Sequence, residues 1–178
     1  TPDHFAFGLL DEILLQGDDS RLHQDIVQRR GLTSSISGGI NLLGNMFNYS
    51  GPMLWTASLI HDPAQTDAEI LSAFDANIER IKREPVTQDE LDRARTQIRS
   101  SLYDLVGSST RFGLADLLAC FALFDDDPSR INQIEGEFAK VTPAMLMQTA
   151  NRYLQPANRT ILQVLPDPNK PAAAGAAR

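Results

Sequence analysis

The order of hydrophobic patterns along the chain most restricts its fold. Apolar residues recur at helical spacing through most of the 178 residues, but residues 32–43 and 52–61 instead carry β-branched, aromatic and small residues without a helical period. The turn-prone residues 45–51 separate these two segments, which predicts two neighbouring strands that pair antiparallel. Such a chain packs several helices against a small sheet.

Two helices are predicted before the strands. Residues 3–15 have one apolar stripe at helical spacing, and Gly17 follows as a stop. Ser20 can cap a second short helix, which Gly31 ends. The apolar side of this second helix comprises Leu22, Ile26 and Val27.

A run of helices is predicted after the strands. Thr66 with Glu69, and Thr87 with Glu90, each place a hydroxyl three residues before a carboxylate, which is the pattern of a helix start. These two helices end before Pro85 and at Gly107. The second of them carries its apolar residues at Leu91, Ala94, Ile98, Leu102 and Leu105.

The last third of the chain completes the predicted fold. A helix over 111–124 has little polar face, so we expect it to be the most buried; Pro128 and Pro143 then suit the first positions of two short helices. Residues 159–165 favour a final strand. The fold class is therefore α+β, a helix-rich two-layer α/β sandwich whose helices cover one face of a mostly antiparallel sheet.

Charge and composition exclude several classes of protein. A net charge of −7 and a pI near 4.9 argue against nucleic acid as a partner, because phosphate binding needs clustered cations. No segment approaches the roughly 20 apolar residues of a membrane span. Cys120 is the single cysteine, which excludes an internal disulfide, and its apolar helical surroundings predict a buried, inert thiol.

The chain lacks the residues of a catalytic site. His4, His23 and His61 are far apart, and none has the HxxEH or HxxxH spacing of a hydrolytic zinc site. We expect His23 to be a solvated surface residue and His61 to lie in a turn. The acidic clusters 89–92 and 125–127 are predicted to cap helices rather than act as acid and base. By itself the chain is therefore predicted to have no catalytic residues, no metal site and no enzymatic activity.

Two further features of the sequence each allow a structural and a functional interpretation. The glycines of Ser37-Gly38-Gly39-Ile40 suit a turn or bulge, and they would also let an extended peptide approach a sheet edge. Arg29 and Arg30 form a basic pair at a predicted helix C-terminus, where the helix dipole favours cations and where they could also bind a carboxylate.

Three stretches of the chain resemble one protein family. They are LLDEILLQGDDSRLHQDIVQRRGLTSSISGG (9–39), PVTQDELDRARTQIRSSL (85–102) and VTPAMLMQTANRYLQPANRTILQVLP (141–166). Together, in this order and spacing, they resemble the C-terminal, non-catalytic half domain of the pitrilysin and insulinase type of zinc metallopeptidase (M16). That family includes mitochondrial processing peptidase and the core subunits of the respiratory bc1 complex.

The resemblance implies a division of labour between two halves. In the family, two similar halves close around a chamber: one supplies the HxxEH zinc motif with a distal Glu, and the other helps to bind the peptide. This chain resembles the second kind, so its expected partners are a catalytic HxxEH-bearing half or subunit and a peptide substrate. No cofactor is expected in this chain, and zinc is expected in the companion half.

This chain keeps the substrate-binding residues of the family only in part. Active members carry an Arg near the end of the second helix and a Tyr after the following Gly-Leu, and these positions align with Val27 and Ser34. A shift of two or three residues would offer Arg29 or Arg30 in place of the Arg. The candidate substrate-binding residues are therefore Arg29, Arg30 and Ser34.

The resemblance also implies which part of the half domain the chain covers and where in the cell the protein is located. Residues 1–166 correspond to the half domain without its first strand or strands, and residues 167–178 are predicted to be a disordered tail. Because a missing strand would expose a sheet edge, the isolated piece is expected to self-associate. Bacterial relatives are often periplasmic, which favours that location by analogy.

Three functions remain open at this level. The first is the peptide-binding, chamber-closing half of an active zinc endopeptidase. The second is a family member without peptidase activity that serves assembly, which the absence of the Arg and Tyr pair favours. The third is an unrelated α+β binding domain.

Overall fold

The computed structural model describes residues 1–41, 44–62, 64–107 and 113–165. In these residues the fold is α+β and helix-rich, as the sequence predicts, with one two-stranded antiparallel sheet. The helices are α1 (Pro2–Leu14), α2 (Asp67–Arg83), α3 (Gln88–Gly107), α4 (Gly113–Asp125), α5 (Ile134–Ala139) and α6 (Pro143–Tyr153). The strands are β1 (Ile36–Ile40) and β2 (Trp55–Leu59).

The two strands form within the predicted segments and pair as predicted. Gly38 lies opposite Ala57, and Ile40 lies opposite Trp55. Gly38 and Gly39 have φ values of 147° and 146°, a backbone conformation that side-chain-bearing residues rarely adopt. A Cβ atom on Gly38 would lie 2.0 Å from the Thr56 carbonyl oxygen, so glycine is required for β1 to approach β2 this closely.

Helix α1 forms the centre of the core. Leu9, Leu10 and Leu14 are at most 1% exposed, and the helix contacts α3, α5, α6 and β1. Several elements thus pack on this one helix and bury its apolar residues. The packing of α1 therefore brings both β1 and α3 alongside it.

Both predicted helix starts carry reciprocal capping contacts. Thr66 Oγ1 accepts a hydrogen bond from the Glu69 amide, and the Glu69 carboxylate accepts one from the Thr66 amide. Thr87 and Glu90 exchange the same pair of bonds at the start of α3. Glu90 additionally accepts two hydrogen bonds from Arg21, so this cap is also a tertiary contact.

The second predicted helix forms between Ser20 and Gly31, mostly as the π-helical segment His23–Arg29. Two other predictions about elements are wrong. Helix α4 is not the most buried helix: Leu123 is 75% exposed, because within the described chain α4 packs mainly against α3 and the 3₁₀ segment Pro128–Gln133. Residues 159–165 form no strand, since no described strand pairs with them, and Leu162 and Val164 are more than 80% exposed.

Other local predictions have mixed outcomes. Pro128 and Pro143 begin a 3₁₀ segment and α6, as predicted. Cys120 is buried as predicted, and burial raises the pKa of its thiol. His23 is not solvated: its side chain is 14% exposed, and its Nε2 atom lies 3.1 Å from the Gln28 amide nitrogen. The predicted tail at 167–178, and Leu42 and Leu43 of the first strand segment, lie outside the described residues.

Candidate functional site

Arg29 and Arg30 end the π-helical segment and share one carboxylate. The Nε atoms of both side chains donate hydrogen bonds of 2.9 Å to Asp25 Oδ1, and Arg29 Nη2 contacts the same oxygen. The other oxygen, Oδ2, accepts a 2.6 Å bond from Asn77 of α2. The wide turn of the π-helix allows this arrangement, because the Arg30 amide bonds back to the Asp25 carbonyl five residues earlier.

Asp25 is buried, whereas its two arginines are not. Burial alone would raise the pKa of Asp25, but the hydrogen bonds from Arg30, Asn77 and Arg29 lower it below its usual value. The Arg29 and Arg30 side chains remain 68% and 42% exposed. Each guanidinium has five N–H donors, so both retain donors for a ligand after pairing with Asp25.

Ser34 does not take part in the hydrogen bonds that join Arg29 and Arg30 to Asp25. It is exposed in the loop that leads into β1. The neighbouring Thr33 fixes the loop, because its hydroxyl donates a 2.6 Å bond to the Ile60 carbonyl beyond β2. The structure thus brings Arg29 and Arg30 together on Asp25 and leaves Ser34 as a solvent-facing hydroxyl.

A cavity of about 510 Å³ lies between α1, the glycine pair of β1 and the C-terminal half of α3. This volume is in the usual range for a ligand pocket, roughly 300–1,000 Å³. Gly38 and Ser101 are exposed at its rim, so the cavity is open to solvent. Its apolar lining comprises Ile98, Leu102 and Leu105 of α3 together with Ile40, Met46, Phe47 and Phe138. Arg29, Arg30 and Ser34 do not line it.

Two adjacent carboxylates of α1 line the cavity, and they differ in environment. Asp11 is buried and accepts hydrogen bonds from Trp55 Nε1 (2.5 Å) and Gln16 Nε2 (3.0 Å). Gln16 Nε2 also donates to the Gly38 carbonyl oxygen, which ties α1 to β1. Glu12 is half-buried and makes no hydrogen bond or ion pair with any described residue.

Burial dominates the acid–base behaviour of both groups. It raises the pKa of Asp11, against the opposing effect of the Trp55 and Gln16 hydrogen bonds. Burial and the neighbouring Asp11 raise the pKa of Glu12 to about 7. Near neutral pH the cavity can therefore change its charge by binding or releasing one proton on Glu12.

The described residues do not fit a zinc site. Across 1–41, 44–62, 64–107 and 113–165, no three His, Cys, Asp or Glu side chains come together as a metal-binding group. His4 packs edge-on against Phe5 and Phe47, and His61 pairs with Asp67 at 3.1 Å.

None of the helices in the described ranges is long and apolar enough to span a membrane.

Sequence reasoning missed the cavity, although two patterns pointed toward it. Leu91 and Ala94 of the apolar stripe of α3 are buried, as expected. The later members Ile98, Leu102 and Leu105 are only partly covered and line the cavity. An acidic pair inside an otherwise apolar helix, Asp11-Glu12, was the second available indication, because charged residues on a core helix are rare without a partner.

Comparison with protein families gives one match over more than half of the chain. Residues 1–98 match the model of the peptidase M16 inactive domain. In sequence, the chain is 32% identical over 146 residues to an uncharacterised zinc protease of Rickettsia bellii (strain RML369-C), which covers 81% of this chain and 32% of that protein.

Solved structures share the fold. An inactive peptidase domain of a protein from Bordetella parapertussis is similar with a TM-score of 0.72 and 22% identity, over 90% of this chain and 82% of that one. A protease from Helicobacter pylori is similar with a TM-score of 0.69 and 20% identity, over 87% of this chain and 35% of that one. The chain thus spans about one third of the length of the Rickettsia and Helicobacter proteins.

Proposed function

Because this chain belongs to the peptidase M16 family as an inactive domain, we propose that it is the non-catalytic half of a zinc metallopeptidase-like protein. In this role it closes one side of a chamber and helps to bind a peptide, while a companion half bearing HxxEH binds zinc and cuts. The match of residues 1–98 to the inactive domain carries the proposal.

The companion half is proposed from the relative lengths of the proteins. The chain accounts for about a third of the Rickettsia protein, so a protein of that size has room for a zinc-binding half as well. The hydrolytic zinc and its ligands would belong to that half. This chain would contribute recognition and enclosure.

Peptide contact is assigned to the pair Arg29 and Arg30, with Ser34 as an additional hydroxyl. Asp25 holds both guanidinium groups at the end of one helical segment, so little side-chain entropy is lost when a ligand binds. Their remaining N–H donors suit peptide carbonyl oxygens or a terminal carboxylate. Asp25 neutralises one of the two charges, which leaves a net positive pair.

A second function is favoured by a specific observation. By the resemblance to the family, Val27 and Ser34 align with the positions at which active members carry the Arg and Tyr that hold the substrate backbone. Under this second hypothesis the whole protein serves assembly and cuts nothing. The companion half distinguishes the two: an intact HxxEH with a distal Glu supports the peptidase, and a degenerate motif supports the assembly protein.

Peptide binding by the arginine pair can be tested with matched variants. We expect the double variant Arg29→Ala/Arg30→Ala to weaken binding of a fluorescein-labelled unstructured peptide by roughly tenfold in fluorescence anisotropy, an effect of about 1.4 kcal/mol. The control is Arg80→Ala/Arg83→Ala, which removes two exposed, carboxylate-paired arginines from the end of α2. It should bind like the wild type.

A third variant separates binding from folding. Arg29→Lys/Arg30→Lys keeps two cations beside Asp25 but removes the planar fork of donors. We expect it to remain folded and to bind more weakly than the wild type. Equal binding by all variants would exclude the arginine pair, and no binding by the wild type would favour the assembly protein.

A further inference from the structure

The cavity beside Asp11 and Glu12 has the properties of a pocket for one side chain. Its wall along α3 is apolar, the carboxylates that line it belong to α1, and its rim at Gly38 and Ser101 is exposed to solvent. An occupant therefore needs an apolar stem and a polar end. This inference rests on the proposed peptide-binding function and adds the class of side chain that is recognised.

Glu12 supplies a charge that has no partner among the described residues. Asp11 is engaged by Trp55 and Gln16, whereas no described residue donates a hydrogen bond to the Glu12 carboxylate or forms an ion pair with it. A half-buried carboxylate without donors is costly, and a cation that enters the cavity would remove that cost.

The charged surroundings of Glu12 add no competing cation. A small depression on its other side is bordered by Asp19, Glu90 and Arg93. Glu90 is occupied by Arg21, and Asp19 carries a further negative charge. Arg93 makes no ion pair with Glu12 in the described part of the chain, and Asp11 increases the negative charge on the cavity side.

We propose that this cavity binds the side chain of a lysine or arginine residue in the bound peptide. The cation pairs with Glu12, and the aliphatic stem lies along Ile98, Leu102 and Leu105. An anion is excluded by the two carboxylates. A hydrated metal ion is disfavoured by the apolar walls, which cannot replace its water ligands.

The glycine pair gives a peptide backbone access to this pocket. Gly38 and Gly39 have no side chains and line the cavity, and the exposed Gly38 stands at its rim. β1 pairs with β2 along one edge, and no described strand covers its other edge. An extended peptide can therefore approach β1 closely while one of its side chains enters the cavity.

Protonation of Glu12 makes this recognition depend on pH. Because the pKa of Glu12 is about 7 without a ligand, the carboxylate is mostly neutral at pH 6 and mostly charged at pH 8. A cation binds the charged form, so the affinity for a basic peptide should rise between pH 6 and pH 8. A neutral peptide should show no such rise.

Trp55 provides a reporter within this network. It is the only tryptophan of the chain, and its indole nitrogen donates to Asp11, the residue next to Glu12. The 178-residue chain is titrated with two short unstructured peptides that differ at one central residue, arginine or citrulline. Citrulline has nearly the shape of arginine without its charge, so the ratio of the two dissociation constants isolates the contribution of charge.

The expected ratio at pH 8 is roughly tenfold in favour of the arginine peptide. Glu12→Gln should reduce the ratio to about one, while Glu84→Gln, which removes an exposed carboxylate at the end of α2, should preserve it. Ser101→Lys places a tethered cation at the exposed rim and should also remove the preference. This variant tests the pocket without changing Glu12.

The outcomes separate the two proposals. Equal binding of both peptides by the wild type overturns the assignment of a basic side chain and leaves peptide binding intact. A preference that persists in both Glu12→Gln and Ser101→Lys overturns the assignment to this cavity. Failure of both peptides to bind overturns the proposed peptide binding together with the inference.

Discussion

Gly38 is the residue at which backbone conformation and close packing coincide. Its φ of 147° and the 2.0 Å separation that a Cβ would have from the Thr56 carbonyl leave no room for a side chain. We expect Gly38→Ala to lower the free energy of unfolding by about 3 kcal/mol. Gly136→Ala is the control: this glycine lies within α5, where an added Cβ would meet open space, and the change should raise stability by about 0.5–1 kcal/mol.

Urea denaturation followed by Trp55 fluorescence measures both variants. Trp55 lies opposite Ile40 in the sheet and packs near Phe7 and Phe74, so its emission reports on sheet packing. Equal stability of Gly38→Ala and wild type would show that β1 does not approach β2 as described.

Glu12 should make the fold less stable as the pH rises. Its pKa is about 7 in the folded chain and near 4.5 when unfolded, so the folded state binds the proton more tightly. The resulting stability is fully present below pH 4.5 and is lost as the pH rises through 7. Glu12→Gln should therefore be more stable than wild type by on the order of 1–2 kcal/mol at pH 8, and close to it at about pH 4.5. Urea denaturation at both pH values tests this sign, and an unchanged difference would contradict it.

At the scale of single residues, the sequence indicated candidate side chains better than the residues that they contact. The basic pair Arg29-Arg30 was recognised, but Asp25, which holds both side chains, and Asn77, which comes from α2, were not. The contact between Asp25 and Asn77 joins residues 52 positions apart, and only the packing of α2 against the π-helical segment brings them together.

At the level of elements, the Arg21–Glu90 pair connects the start of the π-helical segment to the start of α3. Two hydrogen bonds of 2.9 and 3.0 Å join the side chains, which are 8% and 19% exposed. Burial alone would raise the pKa of Glu90, but the bonds from Arg21 and Thr87 lower it to about 2. The ionised carboxylate therefore stabilises the fold.

Glu90→Gln should destabilise the chain by about 2–3 kcal/mol at pH 7, because it leaves the buried Arg21 without a counter-charge. Since the folded pKa is depressed, this stabilisation is present above pH 4.5 and is lost as the pH falls toward 2. The difference between variant and wild type should shrink accordingly in thermal denaturation at about pH 3. Glu84→Gln breaks only a surface pair with Arg80 and should change stability by less than about 0.5 kcal/mol.

Helices with capping pairs were predictable, and elements that depend on distant partners were not. Thr66 and Thr87 mark their helices through contacts three residues away. The expected strand at 159–165 has suitable residues, yet a strand forms only beside another strand. Helix α4 is apolar on all sides, but composition does not reveal how many neighbours will cover it.

At the level of the whole molecule, the exposed apolar residues predict self-association of this chain. Ile161, Leu162, Val164 and Leu165 are 53–85% exposed in a segment outside any helix or strand, and the two-stranded sheet has free outer edges within the described chain. Unpaired edges and extended apolar segments pair readily with another chain. Light scattering at micromolar concentration should show dimers or larger species, and Leu162→Lys/Val164→Lys should shift them toward monomer. A wild-type monomer at that concentration would contradict this proposal.

We propose above all that this chain completes a peptidase without cutting peptides itself. The most direct test is cleavage of an unstructured peptide mixture by this chain alone, by the HxxEH-bearing companion half alone, and by the two together, each with and without a chelator. The expected result is chelator-sensitive cleavage that requires both halves. Cleavage by this chain alone, or a companion half that works equally well without it, would contradict this role, and no cleavage by the mixture would favour the assembly protein.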